Sequence, residues 1–152
     1  VEKDCRRLLK NWRDQPESCL AFIILLDQFP RNIYRGTPRA FAFDEMSLSA
    51  SLDGQSRGFD EELRHVERWF FYMPMQHAED LAIQRRSVER YRALAEEAPP
   101  SLEDALQEAY EYAVEHKEAI ERFGRFPHRN DVLGRSSTPE EADYLEAGGG
   151  FG

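Results

Sequence analysis

The chain has 152 residues, 41% of them hydrophobic and 12% aromatic, which suits one folded domain with a sizeable core and excludes a disordered chain. Its formal net charge of −9 argues against general binding to nucleic acids or to anionic membranes. There are only two cysteines, and the longest apolar run covers 19–26, so the sequence predicts a reduced, cytoplasmic protein that does not span a membrane.

Helical periodicity runs through most of the chain, and no segment alternates with the period of a strand. Asp44 and Ser101 are the expected N-terminal caps, while Pro74 and the pair Pro99-Pro100 are expected to break or end helices. The glycine-rich tail, 148–152, is predicted to be flexible. The helices predicted in chain order cover 2–12, 17–29, 44–56, 61–73, 75–98, 102–123 and a short segment from Pro139. The result is an all-α domain built from antiparallel helix pairs.

A short polar sequence occurs twice. The first copy, 27–32, reads Asp-Gln-Phe-Pro-Arg-Asn, and the second, 126–130, reads Phe-Pro-His-Arg-Asn. Because proline lacks an N–H and disfavours the helical conformation of the residue before it, each Phe-Pro pair is predicted to end a helix and open a loop. Arginine and asparagine offer donors that suit either a clasp between helix ends or the binding of a small polar ligand. Both interpretations stay open.

Asp27 is predicted to be a buried carboxylate. Leu20, Ile24 and Asp27 fall on one stripe of their helix, so the carboxylate is expected to point inward, where it needs a cation or several donors. Arginines of the two repeated sequences are its expected partners. An Asp–Arg clasp that only holds the fold is the competing interpretation.

The histidines are the candidates for acid–base chemistry. His116 lies in the apolar stripe of its helix, where a structural core histidine is the commoner occupant and an acid–base group the alternative. His77, Asp80 and Gln84 are predicted to share one helix face, with Glu79 on a solvated face. That face fits a histidine oriented by a carboxylate, half of a metal site, or an ordinary polar stripe.

Three segments, 25–37, 75–81 and 123–130, resemble the hallmark motifs of a known family. They are centred on Leu-Asp-Gln-Phe-Pro-Arg-Asn, Met-Gln-His-Ala-Glu-Asp and Arg-Phe-Pro-His-Arg-Asn, in that order. The family is the bacterial domain of unknown function numbered 924, whose fold is described as tetratricopeptide-like. The resemblance implies one such domain over 1–152, with a natural N-terminal segment missing here. It also implies one constellation made of Asp27, Gln28, Arg31, Asn32, His77, Asp80, His116, Arg125, His128, Arg129 and Asn130.

Two functions from different classes fit these residues. The first is a pocket for a small anionic ligand, and the second is a tetratricopeptide-like scaffold whose groove binds a peptide or protein partner. No phosphate-binding loop, dinucleotide motif or serine-nucleophile motif is present, no metal site is predicted, and neither a cofactor nor a reaction is specified. In the pocket, the predicted ligand contacts are Asp27, Gln28, Arg31, Asn32, Arg125, Arg129 and Asn130, and the candidate catalytic groups are His77, Asp80, His116 and His128.

Overall fold

Helices joined by short turns make up the computed structural model, which describes residues 10–151. No strand occurs in this range, which confirms the all-α prediction, and none of its helices is long and apolar enough to cross a membrane. The predicted helix at 2–12 lies mostly outside the described residues, as does Cys5. The helices, named α1 to α8 in chain order, span Pro16–Ile33, Asp44–Ser56, Phe59–Glu62, His65–Gln76, Leu81–Glu96, Glu103–Phe123, Asn130–Leu133 and Pro139–Glu146.

The first copy of the repeated sequence is helical. Helix α1 continues through Pro30 to Ile33, so the prediction that Phe-Pro ends this helix is wrong. Two side chains fasten the last turn: Arg31 Nη1 donates to the carbonyl oxygen of Asp27, and Asn32 Nδ2 donates to that of Gln28, each at 2.9 Å. Both bonds tie a side chain to the carbonyl group one turn earlier and so support the helix after Pro30. The second copy does leave the helix, forming a 3₁₀ turn at Pro127–Arg129.

The prediction of one continuous helix over 75–98 is also wrong. Helix α4 passes through Pro74 and ends at Gln76, and the chain is not helical at 77–80 before α5 begins at Leu81. Polar side chains define this break. The Asp80 carboxylate accepts from the Ile83 amide at 2.9 Å and so caps α5.

Gln84 holds the same break from the inside. Its Nε2 donates to the carbonyl oxygens of Gln76 and Ala78 at 2.7 and 2.8 Å, and the side chain is fully buried. His77 therefore belongs to the end of α4, while Asp80 and Gln84 belong to the start of α5. The prediction that these three residues share one helix face is wrong.

Other helix boundaries differ by a few residues. The helix predicted at 61–73 is divided into α3 and α4, with an extended residue at Leu63. Ser101 does not cap α6, which begins at Glu103 without a side-chain cap. Asp44 lies in the first turn of α2 rather than at its cap, because its carboxylate binds Arg31. The start of α8 after Thr138 is as predicted, and Thr138 caps it.

The hydrophobic core lies where α1, α2, α4, α5 and α6 meet. Two buried tyrosines satisfy their hydroxyl groups within it: Tyr72 donates to Asp60 at 2.7 Å, and Tyr91 donates to the carbonyl oxygen of Trp69 at 2.9 Å. Because α1 and α4 are anchored in this core, their C-terminal ends are held close together, facing α6. The largest apolar residues in the core include Ile23, Phe71, Tyr72, Met75, Tyr91, Leu94 and Leu106.

Candidate functional site

A cavity of about 640 Å³ lies between the C-terminal ends of α1 and α4, the middle of α6 and the segment 128–132. This volume is in the range of small-molecule sites. The structure therefore brings parts of both repeated sequences to one cavity. The lining includes seven residues singled out from the sequence: Gln28, Arg31, Asn32, His77, His116, His128 and Arg129. The lining does not include four others: Asp27, Asp80, Arg125 and Asn130.

Asp27 and His77 form a hydrogen-bonded pair in the wall of this cavity. Asp27 is 1% exposed; its Oδ1 accepts from His77 Nδ1 at 2.7 Å, and its Oδ2 accepts from Gln28 Nε2 at 2.5 Å. Burial acts to raise the pKa of Asp27, but the His77 ring and the charge of Arg31 outweigh it, and the pKa is lowered. Because Nδ1 donates to a carboxylate, Nε2 of a neutral His77 carries the lone pair and can accept a proton.

Arg31 is held by carboxylates. Its Nη1 and Nη2 donate to the two oxygens of Asp44 at 2.7 and 2.9 Å, and Nη1 lies 3.3 Å from Asp27 Oδ1. The two-pronged pair joins the end of α1 to the start of α2, and such a pair is stronger and more directional than a single contact. Arg31 is therefore the arginine partner expected for Asp27, and its geometry is that of a clasp.

Arg129 is a buried cation that lies beside both His77 and Asp44. Its guanidinium lies 4.5 Å from the ring centroid of Phe41 and 4.7 Å from that of Phe126. Its Nη2 donates to the carbonyl oxygen of His77 at 3.0 Å, and Nη1 lies 3.7 Å from Asp44 Oδ2. The Nε atom is buried without a partner. Burial lowers the pKa of Arg129 to about 10, so it keeps its charge at neutral pH.

His116 and His128 line the cavity as neutral rings. His116 is 3% exposed, its Nδ1 donates to the carbonyl oxygen of Tyr112 at 2.7 Å, and its ring stacks on Phe151 with centroids 3.6 Å apart. Burial lowers the pKa of His116 to about 3. Burial and then the charge of Arg129 lower the pKa of His128 to about 4. Within residues 10–151, no group of three or more His, Cys, Asp or Glu is placed to hold a metal ion.

Two of the predicted ligand contacts hold the fold behind the cavity. Arg125 forms a two-pronged pair with Glu141, with both distances 2.8 Å. Asn130 Nδ2 donates to the same carboxylate at 3.2 Å, and its Oδ1 accepts from Arg135 Nε at 3.0 Å. Asp80, a predicted catalytic candidate, caps α5. The side chains of Arg125, Asn130 and Asp80 therefore all form hydrogen bonds with neighbouring protein groups.

Glu79 is not on a solvated face, and that prediction is wrong. Its carboxylate accepts from Arg135 at 2.8 and 3.0 Å and from the Phe126 amide at 2.8 Å. The prediction fails because 77–80 is a turn, so a helical face does not describe which side chains point the same way there.

The sequence analysis missed several lining residues. Arg35 lies four residues after Arg31 in the first motif, just beyond the end of α1, and Tyr112 lies one turn before His116, so a search at a spacing of four residues finds both. Tyr72 is fully buried, and Trp69 of the same helix lines the cavity instead. The aromatic residues reach the cavity only through tertiary packing. The missed residues with polar or aromatic side chains are Arg35, Phe41, Trp69, Gln76, Glu108, Tyr112 and Phe151.

The family model described as "Bacterial protein of unknown function (DUF924)" matches residues 1–149. The chain belongs to the DUF924 family. A solved structure titled as the protein of unknown function ATU0120 from Agrobacterium tumefaciens is 41% identical to this DUF924 chain, with a TM-score of 0.83. That match covers 95% of this chain and 76% of the other. No curated protein matches the chain.

Proposed function

We propose that this DUF924 protein binds a small anionic molecule in the cavity between α1, α4 and α6. The observation that carries the proposal is the charge of the lining: it contains Arg31, Arg35 and Arg129 but a single acidic residue, Glu108. This excess of cations is local, since the chain as a whole has a net charge of −9. An anion entering the cavity meets guanidinium groups, which suit carboxylate or phosphate.

The arginines differ in how free they are to meet a ligand. Arg31 is committed to Asp44 through two hydrogen bonds. Arg35 is exposed at the cavity and has no ion-pair or hydrogen-bond partner among residues 10–151. Arg129 keeps an unpartnered Nε. Arg35 and Arg129 are therefore the residues proposed to contact the anion.

The aromatic lining favours an organic anion over a bare inorganic one. Phe41, Trp69, Tyr112 and Phe151 all line the cavity. Burying an apolar part of a ligand against such rings contributes affinity that phosphate or sulfate cannot gain. A small carboxylate with an apolar body fits both kinds of wall.

A thermal-shift screen tests this proposal. The probes are phosphate, sulfate, benzoate, pyruvate and phenylpyruvate, applied to the wild type, Arg35→Ala and Arg92→Ala. Arg92 is an exposed arginine of α5 that does not line the cavity, so its variant matches the loss of charge. A ligand at a hundred times its Kd adds about 2.7 kcal/mol, or roughly 5–10 °C. We expect the shift to shrink in Arg35→Ala and to persist in Arg92→Ala; equal shifts in both variants would contradict the proposal.

The alternative function is a tetratricopeptide-like scaffold that binds a peptide or protein partner. It is supported by Phe29 and Ile33, which lie one turn apart on α1 and are 51% and 69% exposed. Peptides selected by display against the wild type discriminate the two functions. Loss of peptide binding in Ile33→Ser, with no change in Arg35→Ala, would favour the scaffold.

A cytoplasmic location is part of the proposal. It is supported by the low cysteine content, and by Cys19, which is buried as a free thiol.

A further inference from the structure

Both oxygens of the Asp27 carboxylate accept hydrogen bonds, and the bond from His77 determines which ring nitrogen of a neutral His77 carries the hydrogen. One oxygen accepts from His77 Nδ1 and lies near Arg31, and the other accepts from Gln28. His77 lines the cavity, and 16% of its side chain is exposed. With Nδ1 bound to the carboxylate, Nε2 is the nitrogen left to accept a proton. A carboxylate in this position also stabilises the imidazolium that forms when the proton is taken.

Two buried donors near His77 have no partner. Gln76 is 3% exposed and its Nε2 makes no hydrogen bond; Arg129 is 7% exposed and its Nε makes none. Both residues line the cavity, and both lie at the end of α4, since Gln76 precedes His77 and Arg129 binds the His77 carbonyl group. Burying an unpaired donor is unfavourable. Neither nitrogen is reached by solvent in this conformation, so a ligand oxygen becomes the partner that these two donors lack when the Gln76 and Arg129 side chains turn toward the cavity.

A base beside donors for an oxygen atom is the arrangement that removes a proton from carbon next to a carbonyl group. We infer that His77 is a catalytic general base acting on a small 2-oxo acid, whose carbonyl oxygen is held by Gln76 and Arg129. This inference rests on the proposed function, which supplies the anionic substrate. The carboxylate of the oxo acid meets Arg35.

The step balances as a proton transfer. His77 Nε2 takes a proton from C3 of the oxo acid, and the electrons of that C–H bond form a double bond between C2 and C3. The carbonyl π electrons move to the oxygen, where Gln76 Nε2 and Arg129 Nε stabilise the negative charge. The enolate then takes a proton back at C3. No Ser, Thr, Cys or Lys lines this cavity, so the step is assigned no covalent intermediate.

Hydrogen exchange in D₂O measures this step directly. Phenylpyruvate and 2-oxobutyrate are the probes, and loss of their C3 proton signals by NMR is the readout. We expect the wild-type chain to exchange these protons at least tenfold faster than buffer, and His77→Gln to fall to the buffer rate. His65→Gln is the matched control, because His65 is the histidine outside the cavity; it should exchange as the wild type does.

Two variants separate a catalytic His77 from a structural one. Asp27→Asn presents an amide that donates to Nδ1, which leaves Nε2 protonated, so exchange should fall at least tenfold. Gln76→Leu removes a donor that has no partner in the fold, so exchange should fall ten- to a hundredfold while the midpoint of urea unfolding is kept or raised. Exchange in His77→Ala should recover when imidazole is added, which a structural role does not predict.

The outcomes distinguish this inference from the proposed function. Thermal shifts by the oxo acids without any exchange above buffer would overturn the inference and leave the proposed function standing. Neither shift nor exchange would overturn both. A third outcome is hydrolysis of p-nitrophenyl acetate that requires His77, without proton exchange in the oxo acids. It would show that His77 takes a proton from water and not from carbon, and would overturn the substrate class.

Discussion

Single residues at the cavity divide into those that hold the fold and those left for a ligand. Arg31 and Arg35 lie four residues apart in the same motif, yet the first donates to both oxygens of Asp44 and the second has no hydrogen-bond or ion-pair partner among the described residues. The sequence predicted Arg31 as a ligand contact and did not predict Arg35. They differ in their partners because the fold places the carboxylates of Asp44 and Asp27 beside Arg31.

This difference predicts opposite effects on stability. Arg31→Ala leaves Asp44 with only the longer contact to Arg129, at 3.7 Å, and removes a cation from the buried Asp27, so the free energy of unfolding should fall by roughly 3 kcal/mol. Arg35→Ala breaks no hydrogen bond or ion pair among the described residues and should change the free energy of unfolding by less than about 0.5 kcal/mol. Urea denaturation at pH 7 measures both. A loss below about 1 kcal/mol in Arg31→Ala would show that this clasp contributes little.

The sequence predicts Asp27 better than it predicts the partner of Asp27. The stripe of Leu20, Ile24 and Asp27 correctly places the carboxylate inside, because helical spacing is a local property. Its bond to His77 spans 50 residues and depends on how α1 and α4 pack, which no local pattern records. Arg35 and Tyr112 were within reach of helical spacing, whereas Phe151 follows a glycine run and carried no signal.

At the scale of helices, α2 and α4 approach closely through a glycine. A Cβ at Gly54 would come within 2.5 Å of Cζ of Phe71, which is itself fully buried. Alanine is the better helix former by about 1 kcal/mol, but the ring has little room to move in a packed core. Gly54 is therefore required by packing, although glycine is unfavourable in the middle of a helix.

Gly54→Ala should lower the free energy of unfolding by about 1–3 kcal/mol, because the added methyl group overpacks the interface between α2 and α4. Ser49→Ala, at an exposed position of the same helix, is the control and should change it by less than about 0.5 kcal/mol. Thermal unfolding followed by circular dichroism measures both. In the double variant Gly54→Ala/Phe71→Leu, the smaller side chain at position 71 makes room for the added methyl group and should restore part of the lost stability. A Gly54→Ala variant more stable than the wild type would contradict the packing argument.

The helices were predicted as a class more accurately than their ends. Apolar spacing depends on neighbours three and four residues away, so helices were found along the chain. Pro30 and Pro74 were expected to end helices, yet both lie inside them. Helix ends here depend on side chains such as Arg31 and Gln84, whose bonds form only in the folded chain.

At the scale of the whole molecule, the buried histidines link the cavity to stability in acid. His116 and His128 have pKa values of about 3 and about 4 in the fold, against 6.5 ordinarily, chiefly because His116 is buried and His128 is partly buried. The folded state therefore binds fewer protons than the unfolded chain between these values and pH 6.5. Stability contributed by the neutral rings is present above pH 6.5 and is lost as the pH falls toward 4.

We expect the free energy of unfolding to be nearly constant from pH 8 to 7 and to fall between pH 6.5 and 4.5, by at most about 1.4 kcal/mol per pH unit for each histidine. The carboxylates with lowered pKa values, among them Asp27, Glu79 and Glu141, lose their contribution only as the pH approaches their unfolded pKa values of 3.8 to 4.5, so the part of the window above about pH 5.5 reports chiefly on the histidines. His116→Phe keeps an aromatic ring against Phe151 but cannot bind a proton, so its profile should be flatter. Urea unfolding in half-unit pH steps gives both profiles. Parallel profiles for the wild type and His116→Phe would show that His116 does not carry this acid sensitivity.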